Sequence, residues 1–281
     1  SVSTSLDFGD ATRNDVTGRF AGRAFADLDG VQRDNGFNGL DEAFDDRVNG
    51  YVFEAHADLR RTAGFDVVSI GRQPLLDAPL VLDFDGVRAE TRKHGDLRAW
   101  ALGYVGVPVR YWEGSRSGDL VYGTAFGLSP WSSLRTRFDW THLDDRTWTF
   151  DGEDDLLSLQ WWQTLSDTQR LSGRHTWLDG EARDLVLRHD GSYANASITS
   201  ALTYRELVTA QRSQVTDLDP FSPILLTYAP YRQLEAMGTA ALDEQWTLTI
   251  GADARQLRDD ADEGQFNREY SRVWAGPSEI G

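Results

Sequence analysis

The sequence predicts an all-β protein, an antiparallel up-and-down transmembrane β-barrel of about 14–16 strands. Segments of roughly ten residues alternate apolar and polar side chains, which is the period of a strand with one apolar and one polar face. The connections between these segments alternate short and long, as expected when the two edges of a sheet differ. Many of the ten tryptophans and nine tyrosines lie near segment ends, where aromatic girdles of membrane barrels lie.

The alternation can be followed strand by strand. In segment 51–61, Tyr51 and Phe53 fall on one side and Glu54 and Asp58 on the other. The same pattern predicts strands at 1–8, 16–28, 51–61, 65–73, 80–91, 96–106, 119–128, 131–143, 154–165, 169–178, 182–190, 193–205, 231–242, 244–256 and 265–275.

Turn signals and glycines separate these strands. The dipeptide Asp190-Gly191 predicts a tight hairpin. At Gly86 the alternation shifts by one residue, and a glycine at a phase shift predicts a β-bulge. Long connections are predicted after residues 28, 73, 106, 143, 205 and 256, whereas the connection near 179–181 is short.

The whole chain, 1–281, is predicted to be a single outer-membrane barrel domain. The fifteen predicted strands are an odd number, whereas single-chain bacterial barrels have even counts. We therefore expect either one miscounted strand or a closing C-terminal strand beyond Gly281. A soluble propeller or sandwich is the alternative, since alternation alone does not separate these classes, but the propeller repeat of roughly 40 residues is not present.

Composition excludes several kinds of chemistry. The chain has no cysteine, which excludes disulfides, thiol catalysis and Cys-ligated metals. No apolar run of about 18 residues occurs, so a conventional transmembrane helix is not predicted. The net charge of −17 argues against binding to a nucleic-acid backbone. The five histidines are scattered without metal-ligand spacing, and no cofactor is predicted.

If the apolar face meets lipid, the charged side chains of the opposite face line a lumen and form the candidate site. Arg135 and Arg137 are the strongest candidates, because an arginine ladder on one strand face would guide a charged solute. Since both signs of charge occur, the alternative is that these groups only pair with one another across neighbouring strands. The predicted pore-lining residues are Arg72, Asp83, Asp85, Arg88, Glu90, Arg98, Arg135, Arg137, Asp139, Arg174 and Arg188.

One stretch resembles a known family. The triplet Gly71-Arg72-Gln73 at a strand end, followed by Phe84-Asp85-Gly86-Val87-Arg88 in the next strand, is similar to a motif pair of the alginate-export and related porin-like outer-membrane barrels. The resemblance covers about 20 residues, and this chain is shorter than members of that family. It implies an outer-membrane channel and, for the closest members, an arginine-rich lumen that passes an anionic polysaccharide.

These observations favour a non-enzymatic, porin-like channel in the bacterial outer membrane for polar or anionic solutes. Its expected partners are outer-membrane lipid and lipopolysaccharide, a small or polymeric polar solute, and either further copies of itself or a periplasmic protein. A structural barrel that sheathes or anchors a partner protein is the alternative. An outer-membrane hydrolase has the least support, because no nucleophile motif is present and such triads assemble in space rather than in sequence.

Overall fold

The computed structural model describes residues 2–10, 15–26, 48–75, 82–109, 118–146, 151–193, 197–209, 229–258 and 268–279. Over these residues the chain is all-β. The strands are β1 (Val2–Phe8), β2 (Val16–Ala26), β3 (Val48–Arg60), β4 (Phe65–Leu75), β5 (Leu82–Thr91), β6 (Trp100–Val109), β7 (Leu120–Trp131), β8 (Leu134–Arg146), β9 (Asp151–Ser166), β10 (Gln169–Leu178), β11 (Glu181–Tyr193), β12 (Ile198–Leu207), β13 (Tyr231–Ala241), β14 (Trp246–Leu257) and β15 (Tyr270–Glu279).

Strand order in the sheet is the order along the chain, from β1 to β15, so each strand pairs with its sequence neighbours. The predicted all-β, antiparallel, up-and-down fold is therefore confirmed, with fifteen strands among the described residues. Within the described ranges, no helix is long and apolar enough to cross a membrane.

The connections alternate between the two ends of the strands, and each set of strand ends is called an edge of the sheet below. Those at 9–15, 61–64, 92–99, 132–133, 167–168, 194–197 and 242–245 form one edge, which we call the short-turn edge. Those at 27–47, 76–81, 110–119, 147–150, 179–180, 208–230 and 258–269 form the other, the long-connection edge. All six connections that the sequence predicts to be long lie on this second edge, but only those at 27–47, 110–119, 208–230 and 258–269 are long. Those at 76–81 and 147–150 have six and four residues, fewer than the eight at 92–99 on the first edge.

Two short turns show why the sequence reverses where it does. Asp179 and Gly180 both have positive φ, 51° and 82°, which is the requirement of the type I′ turn that joins β10 to β11. Ala63 and Gly64 have φ values of 53° and 89° between β3 and β4. The type I′ turn matches the right-handed twist of the flanking strands. The pairing of β10 with β11 shifts by one residue between Thr176 and Trp177, next to this turn.

The hairpin predicted at Asp190-Gly191 is wrong. β11 continues through both residues to Tyr193, and Asp190 and Gly191 pair with Ala201 and Ser200 of β12. A Cβ on Gly191 would lie 2.7 Å from the Tyr193 hydroxyl and 2.9 Å from the Ser200 Oγ. The glycine is therefore explained by side chains that pack over it within the strand, and not by a turn.

The bulge predicted at Gly86 is also wrong. The register between β4, β5 and β6 is continuous there, with Gly86 opposite both Gly71 and Gly106. A Cβ on Gly86 would lie 2.1 Å from the Val105 carbonyl oxygen and 2.6 Å from the Gly106 Cα. Gly86 thus permits a close approach of two backbones, and the side chains on either side of it keep strict alternation.

The chain forms two compact units. Unit 1 comprises Ser1–Lys93, Trp100–Ala125 and Thr141–Asp154, and unit 2 comprises His94–Ala99, Phe126–Trp140 and Asp155–Gly281. In each unit one face of the sheet is polar and the other apolar. The polar face carries buried side chains such as Ser69, Gln73, Arg137, Asp139, Ser158, Thr176, Thr203 and Asp253, and the apolar face carries exposed ones such as Phe20, Ile70, Val87, Val105, Phe138, Leu159, Leu202, Leu234, Ile250 and Val273.

Candidate functional site

The polar face of unit 1 contains a cavity of about 550 Å³. Charges of both signs line it and pair with one another. The Arg19 Nε lies 3.1 Å from a Glu54 carboxylate oxygen, and the Arg88 Nη2 donates to Glu90 at 3.2 Å. The cavity is lined by Asp7, Phe8, Gly9, Thr17, Gly18, Arg19, Glu54, His56, Asp58, Arg60, Val67, Ser69, Gln73, Pro74, Arg88 and Glu90.

Glycines on this face leave a strip without side chains, and Gln73 covers it. Gly71, Gly86 and Gly106 lie in one register row across β4, β5 and β6. The Gln73 amide nitrogen lies 3.4–3.5 Å from the carbonyl oxygens of Ser69, Gly71 and Gly86. Gln73 is nearly fully buried, so its side chain lies flat against the sheet rather than projecting from it.

Beside this strip the polar face of unit 1 carries a buried aromatic and apolar cluster. The rings of Phe84 and Tyr104 have centroids 5.8 Å apart. The Tyr104 hydroxyl is hydrogen-bonded to the Thr141 hydroxyl at 2.6 Å, which satisfies both buried oxygens. Val121 and Leu143 are buried as well.

The polar face of unit 2 is a set of arginine–carboxylate pairs. Three distances define them: 2.7 Å between Arg137 Nη2 and Asp139, 2.7 Å between Arg188 Nη2 and Asp190, and 2.9 Å between Arg272 Nη2 and Asp253. Each of these links is a charge-assisted hydrogen bond. Asp253 also accepts from the Gln233 amide at 3.0 Å and from the Tyr270 hydroxyl at 3.0 Å.

In several of these pairs the arginine is the exposed partner. The Arg272 side chain is 66% exposed and that of Asp253 only 7%, while the values for Arg174 and Asp184 are 45% and 17%. Arg135 is exposed and, within the described part of the chain, makes no ion pair. The solvent-facing layer of this face is therefore richer in guanidinium groups than in carboxylates.

The strand register aligns three of these arginines. Arg174 of β10, Arg205 of β12 and Arg255 of β14 occupy one row, with Val186 and Gln233 between them. Strands two apart in a sheet are separated by about 9–10 Å, so the row repeats a positive charge at that spacing. The Arg255 guanidinium carbon lies 3.9 Å from the centroid of the Tyr231 ring, an arrangement that holds this side chain in place.

Most predicted site residues lie on the polar face. Arg88 and Glu90 belong to the unit 1 cavity, and the polar face of unit 2 carries Arg135, Arg137, Asp139, Arg174 and Arg188. This face also carries residues that were not among those predicted, although alternation along their strands places each of them on it: Arg205, Gln233, Glu235, Tyr270 and Arg272. The acidic loop residues 41–46 and 259–263 lie outside the described residues.

Four predicted residues lie elsewhere, which corrects the sequence-based assignment. Because β5 alternates strictly, Asp83 and Asp85 lie on the face of Val87, opposite Arg88 and Glu90. Arg72 pairs with Asp85 on that apolar face, with Nε–Oδ1 and Nη2–Oδ2 distances of 2.8 and 2.6 Å.

Arg98 is not in a strand at all. It has a φ of 49° in the turn at 92–99, where its backbone N–H donates to the Gly95 carbonyl at 3.0 Å. The predicted strand 96–106 therefore starts at Trp100. A residue at a turn of the short-turn edge does not belong to a row of side chains along a strand face.

The histidines do not gather on the polar face. His142 packs on Tyr122 and His175 on Trp177, with ring centroids 4.8 and 3.9 Å apart. His56 lines the unit 1 cavity, and its Nδ1 lies 3.3 Å from the Arg72 carbonyl oxygen. Among the described residues, no group of three His, Asp or Glu side chains is placed to hold a metal ion.

Comparisons with known proteins give matches to solved structures only; no family model and no curated protein matches the chain. The chain is similar to an anion-selective porin from Comamonas acidovorans, with 12% identity over 100% of this chain and 96% of that one, at a TM-score of 0.48. It is similar to OccAB1 of Acinetobacter baumannii, with 13% identity over 94% and 81% of the two chains and a TM-score of 0.46. A loop-deletion mutant of OmpT, an outer membrane protein of Vibrio cholerae, matches at 10% identity over 98% and 95%, with a TM-score of 0.44.

Proposed function

We propose that this chain is an outer-membrane β-barrel channel whose polar face conducts polar solutes and favours anions. The observation that carries this proposal is the inverted distribution of side chains on the two faces. Large apolar side chains are exposed on one face, and the other face buries charged and hydroxyl side chains alongside apolar ones such as Phe84 and Val121. Water-soluble β-proteins have the opposite arrangement, because burial of apolar surface drives their folding.

The apolar face supports the membrane part of the proposal. Ile70 of β4, Val87 of β5 and Val105 of β6 form one register row and are each 40–50% exposed. Each exposed side chain of this kind forgoes about 25 cal/mol per Å² of burial in water, a cost that lipid contact removes. A contiguous exposed patch of this kind marks a membrane or protein interface.

Aromatic residues at the short-turn edge support the same placement. Trp131 ends β7, Tyr193 ends β11 and Trp246 begins β14, and all three are exposed. Tryptophan and tyrosine are enriched where hydrocarbon meets headgroups, since their rings are apolar and carry one polar atom. The exposed aromatic edge thus matches the girdle of a membrane barrel.

The polar face of unit 2 supports the preference for anions. The carboxylates of this face pair with arginines, and in the pairs of Arg174 and Arg272 the guanidinium is more exposed than the carboxylate. Arg174, Arg205 and Arg255 form a row across three strands, in which Arg174 pairs with the less exposed Asp184 and Arg205 lies 3.9 Å from Glu235. Charged rings of one sign select ions of the other sign in channels, and guanidinium binds carboxylate and phosphate with two parallel hydrogen bonds.

Planar-bilayer recording of the purified protein tests the proposal. We expect steady openings and a reversal potential that indicates anion preference in a salt gradient. The triple variant Arg174→Gln/Arg205→Gln/Arg255→Gln should lower the anion-to-cation permeability ratio by roughly threefold or more, because it removes three positive charges from the conducting face. The matched variant Arg174→Lys/Arg205→Lys/Arg255→Lys keeps the charge and should retain the preference.

Two results would overturn the proposal. A protein that stays soluble without detergent would exclude the membrane assignment. A protein that inserts, as shown by heat-modifiable gel mobility, yet gives no conductance would favour a barrel filled by or anchoring a partner protein. Wild-type cation preference would remove the role of the arginine row while leaving the channel in place.

A further inference from the structure

A polar cluster interrupts the apolar face of unit 2 at the long-connection edge. Glu206 of β12 lies opposite Arg232 of β13, and Arg258 follows directly after β14. In the next register row along the same face, Tyr204 lies opposite Leu234. The cluster therefore lies where the exposed apolar side chains end.

Glu206 organises the cluster. Its Oε1 accepts from the Arg232 Nε at 3.1 Å and lies 3.4 Å from the Arg258 Nε, while its Oε2 accepts from the Tyr204 hydroxyl at 2.8 Å. One carboxylate thus aligns two guanidinium groups by their Nε edges. Within the described part of the chain, the Nη groups of both arginines make no hydrogen bond.

Another charged pair on the apolar face is arranged differently. In unit 1, Arg72 binds Asp85 through both Nε and Nη2, and its Nη1 donates to the Val52 carbonyl oxygen at 2.9 Å. All three nitrogen atoms of that guanidinium therefore donate to protein acceptors. The Glu206 cluster instead has two arginines for one carboxylate, a net charge of +1 and Nη groups that make no hydrogen bond within the described part of the chain.

We infer that Arg232 and Arg258 bind the phosphate of a lipid headgroup, namely a phosphorylated glycolipid of the leaflet at the long-connection edge. Two adjacent guanidinium groups offer several N–H donors to one phosphate, and such charge-assisted hydrogen bonds are about twice as strong as neutral ones. The position at the border of the apolar face matches the depth at which headgroup phosphates meet hydrocarbon. This inference rests on the membrane placement of the proposed function.

Native mass spectrometry of the detergent-purified protein with diphosphoryl lipid A provides the test. We expect the variant Arg232→Gln/Arg258→Gln to bind diphosphoryl lipid A at least about tenfold more weakly than the wild type. The control Arg61→Gln/Arg92→Gln removes the same charge from exposed sites at the short-turn edge and should bind as the wild type does. Dephosphorylated lipid A should bind wild type and double variant equally.

Several outcomes would overturn the inference. Unchanged affinity in the double variant, or an equal loss in the control, would contradict a local site. Competition by inorganic phosphate at the lipid concentration would indicate a free-anion site instead of a lipid site. Loss of heat-modifiable mobility in the double variant would mean that it does not fold. In that case the single variant Arg232→Gln, which changes a largely exposed side chain, is tested instead, and its affinity for diphosphoryl lipid A should fall about threefold.

The same samples separate this inference from the proposed function. The double variant lies on the apolar face, so its conductance and anion preference should equal those of the wild type. An inserted, conducting protein with lipid binding that is insensitive to Arg232 and Arg258 would refute only the lipid site. A protein that fails to insert would refute both.

Discussion

Arginine–carboxylate pairs on the polar faces differ in how deeply the carboxylate lies, as one pair of unit 1 and two of unit 2 show. In unit 1, Arg88 and Glu90 are equally exposed, at 30% and 31%, and line one cavity together. In unit 2, Asp253 lies beneath Arg272, and Asp184 beneath Arg174. An ion pair whose two members are equally accessible presents no net charge to solvent. A buried carboxylate under an exposed guanidinium presents a positively charged surface.

This difference in depth shows why the net charge of −17 does not predict the sign of the charge that the polar face presents to solvent. Net charge counts every carboxylate equally, but a solute interacts mainly with groups that water can reach. The electric field at a surface is set mainly by nearby charges, since charges more than about 10 Å away are largely screened at ordinary salt. The depth of each carboxylate therefore matters more than the number of carboxylates for the charge that a polar face presents to solvent.

The largest effect is expected from breaking a buried pair. Arg137 and Asp139 lie two positions apart on β8, with side chains 10% and 3% exposed. Asp139→Asn should lower the free energy of unfolding by about 3–5 kcal/mol, because it leaves a buried guanidinium without its carboxylate. Urea unfolding in lipid vesicles measures this loss.

The matched control is the pair in unit 1 with the same sequence spacing. Glu90→Gln breaks the link to Arg88, where both side chains are about one-third exposed, and should cost about 1 kcal/mol or less. Equal losses of stability in the two variants would contradict the effect assigned to burial of the Arg137–Asp139 pair.

Glycines provide the second comparison between the units. Gly86→Ala should destabilise unit 1 by about 1–3 kcal/mol, because the new Cβ would meet backbone atoms of β6 that have no side-chain freedom to move. Gly238→Ala in unit 2 is the control, since its Cβ would have only the Thr199 carbonyl oxygen nearby, at 3.8 Å. There the change should be near zero or stabilising by about 0.5 kcal/mol. A tolerated alanine at Gly86 would contradict the close approach of β5 and β6.

Hydroxyl removal gives a smaller effect. Tyr104→Phe leaves the buried Thr141 hydroxyl without its partner and should cost about 1–2 kcal/mol. Tyr270→Phe in unit 2 removes a donor to Asp253, which keeps Arg272 and Gln233, so the cost should be about 1 kcal/mol or less. Thermal unfolding of both variants ranks them, and a larger loss at Tyr270 would contradict the ordering.

The fold was predictable because strand alternation and connection lengths are local properties of the sequence. Alternation places Arg135, Arg137 and Asp139 on one face whichever strands flank them. The failure at Gly86 has a different origin. Whether a glycine in a strand marks a bulge or a close approach depends on the residue opposite it, here Gly106, and the sequence alone does not contain that pairing.

The candidate site was less predictable than the fold, because it depends on register across several strands. Arg174 and Arg205 become row partners only through two successive strand pairings. The charged pair of Arg72 and Asp85 lies on the apolar face because each finds its partner across the strand pair. A sequence shows that a side chain is charged, but its partners decide whether it can lie on an apolar face.

The smallest effect should come from the exposed pair of Arg188 and Asp190, whose side chains are 49% and 44% exposed. A double-mutant cycle with Arg188→Gln and Asp190→Asn should give a coupling of about 0.2–1 kcal/mol at low salt, typical of exposed pairs. Raising the salt to about 1 M shortens the Debye length to about 3 Å and should remove most of this coupling. The coupling of Arg137 with Asp139 should persist, because water and ions do not reach between two buried groups. A coupling between Arg188 and Asp190 that resists salt would mean that Asp190 is buried beneath Arg188, as Asp253 is beneath Arg272.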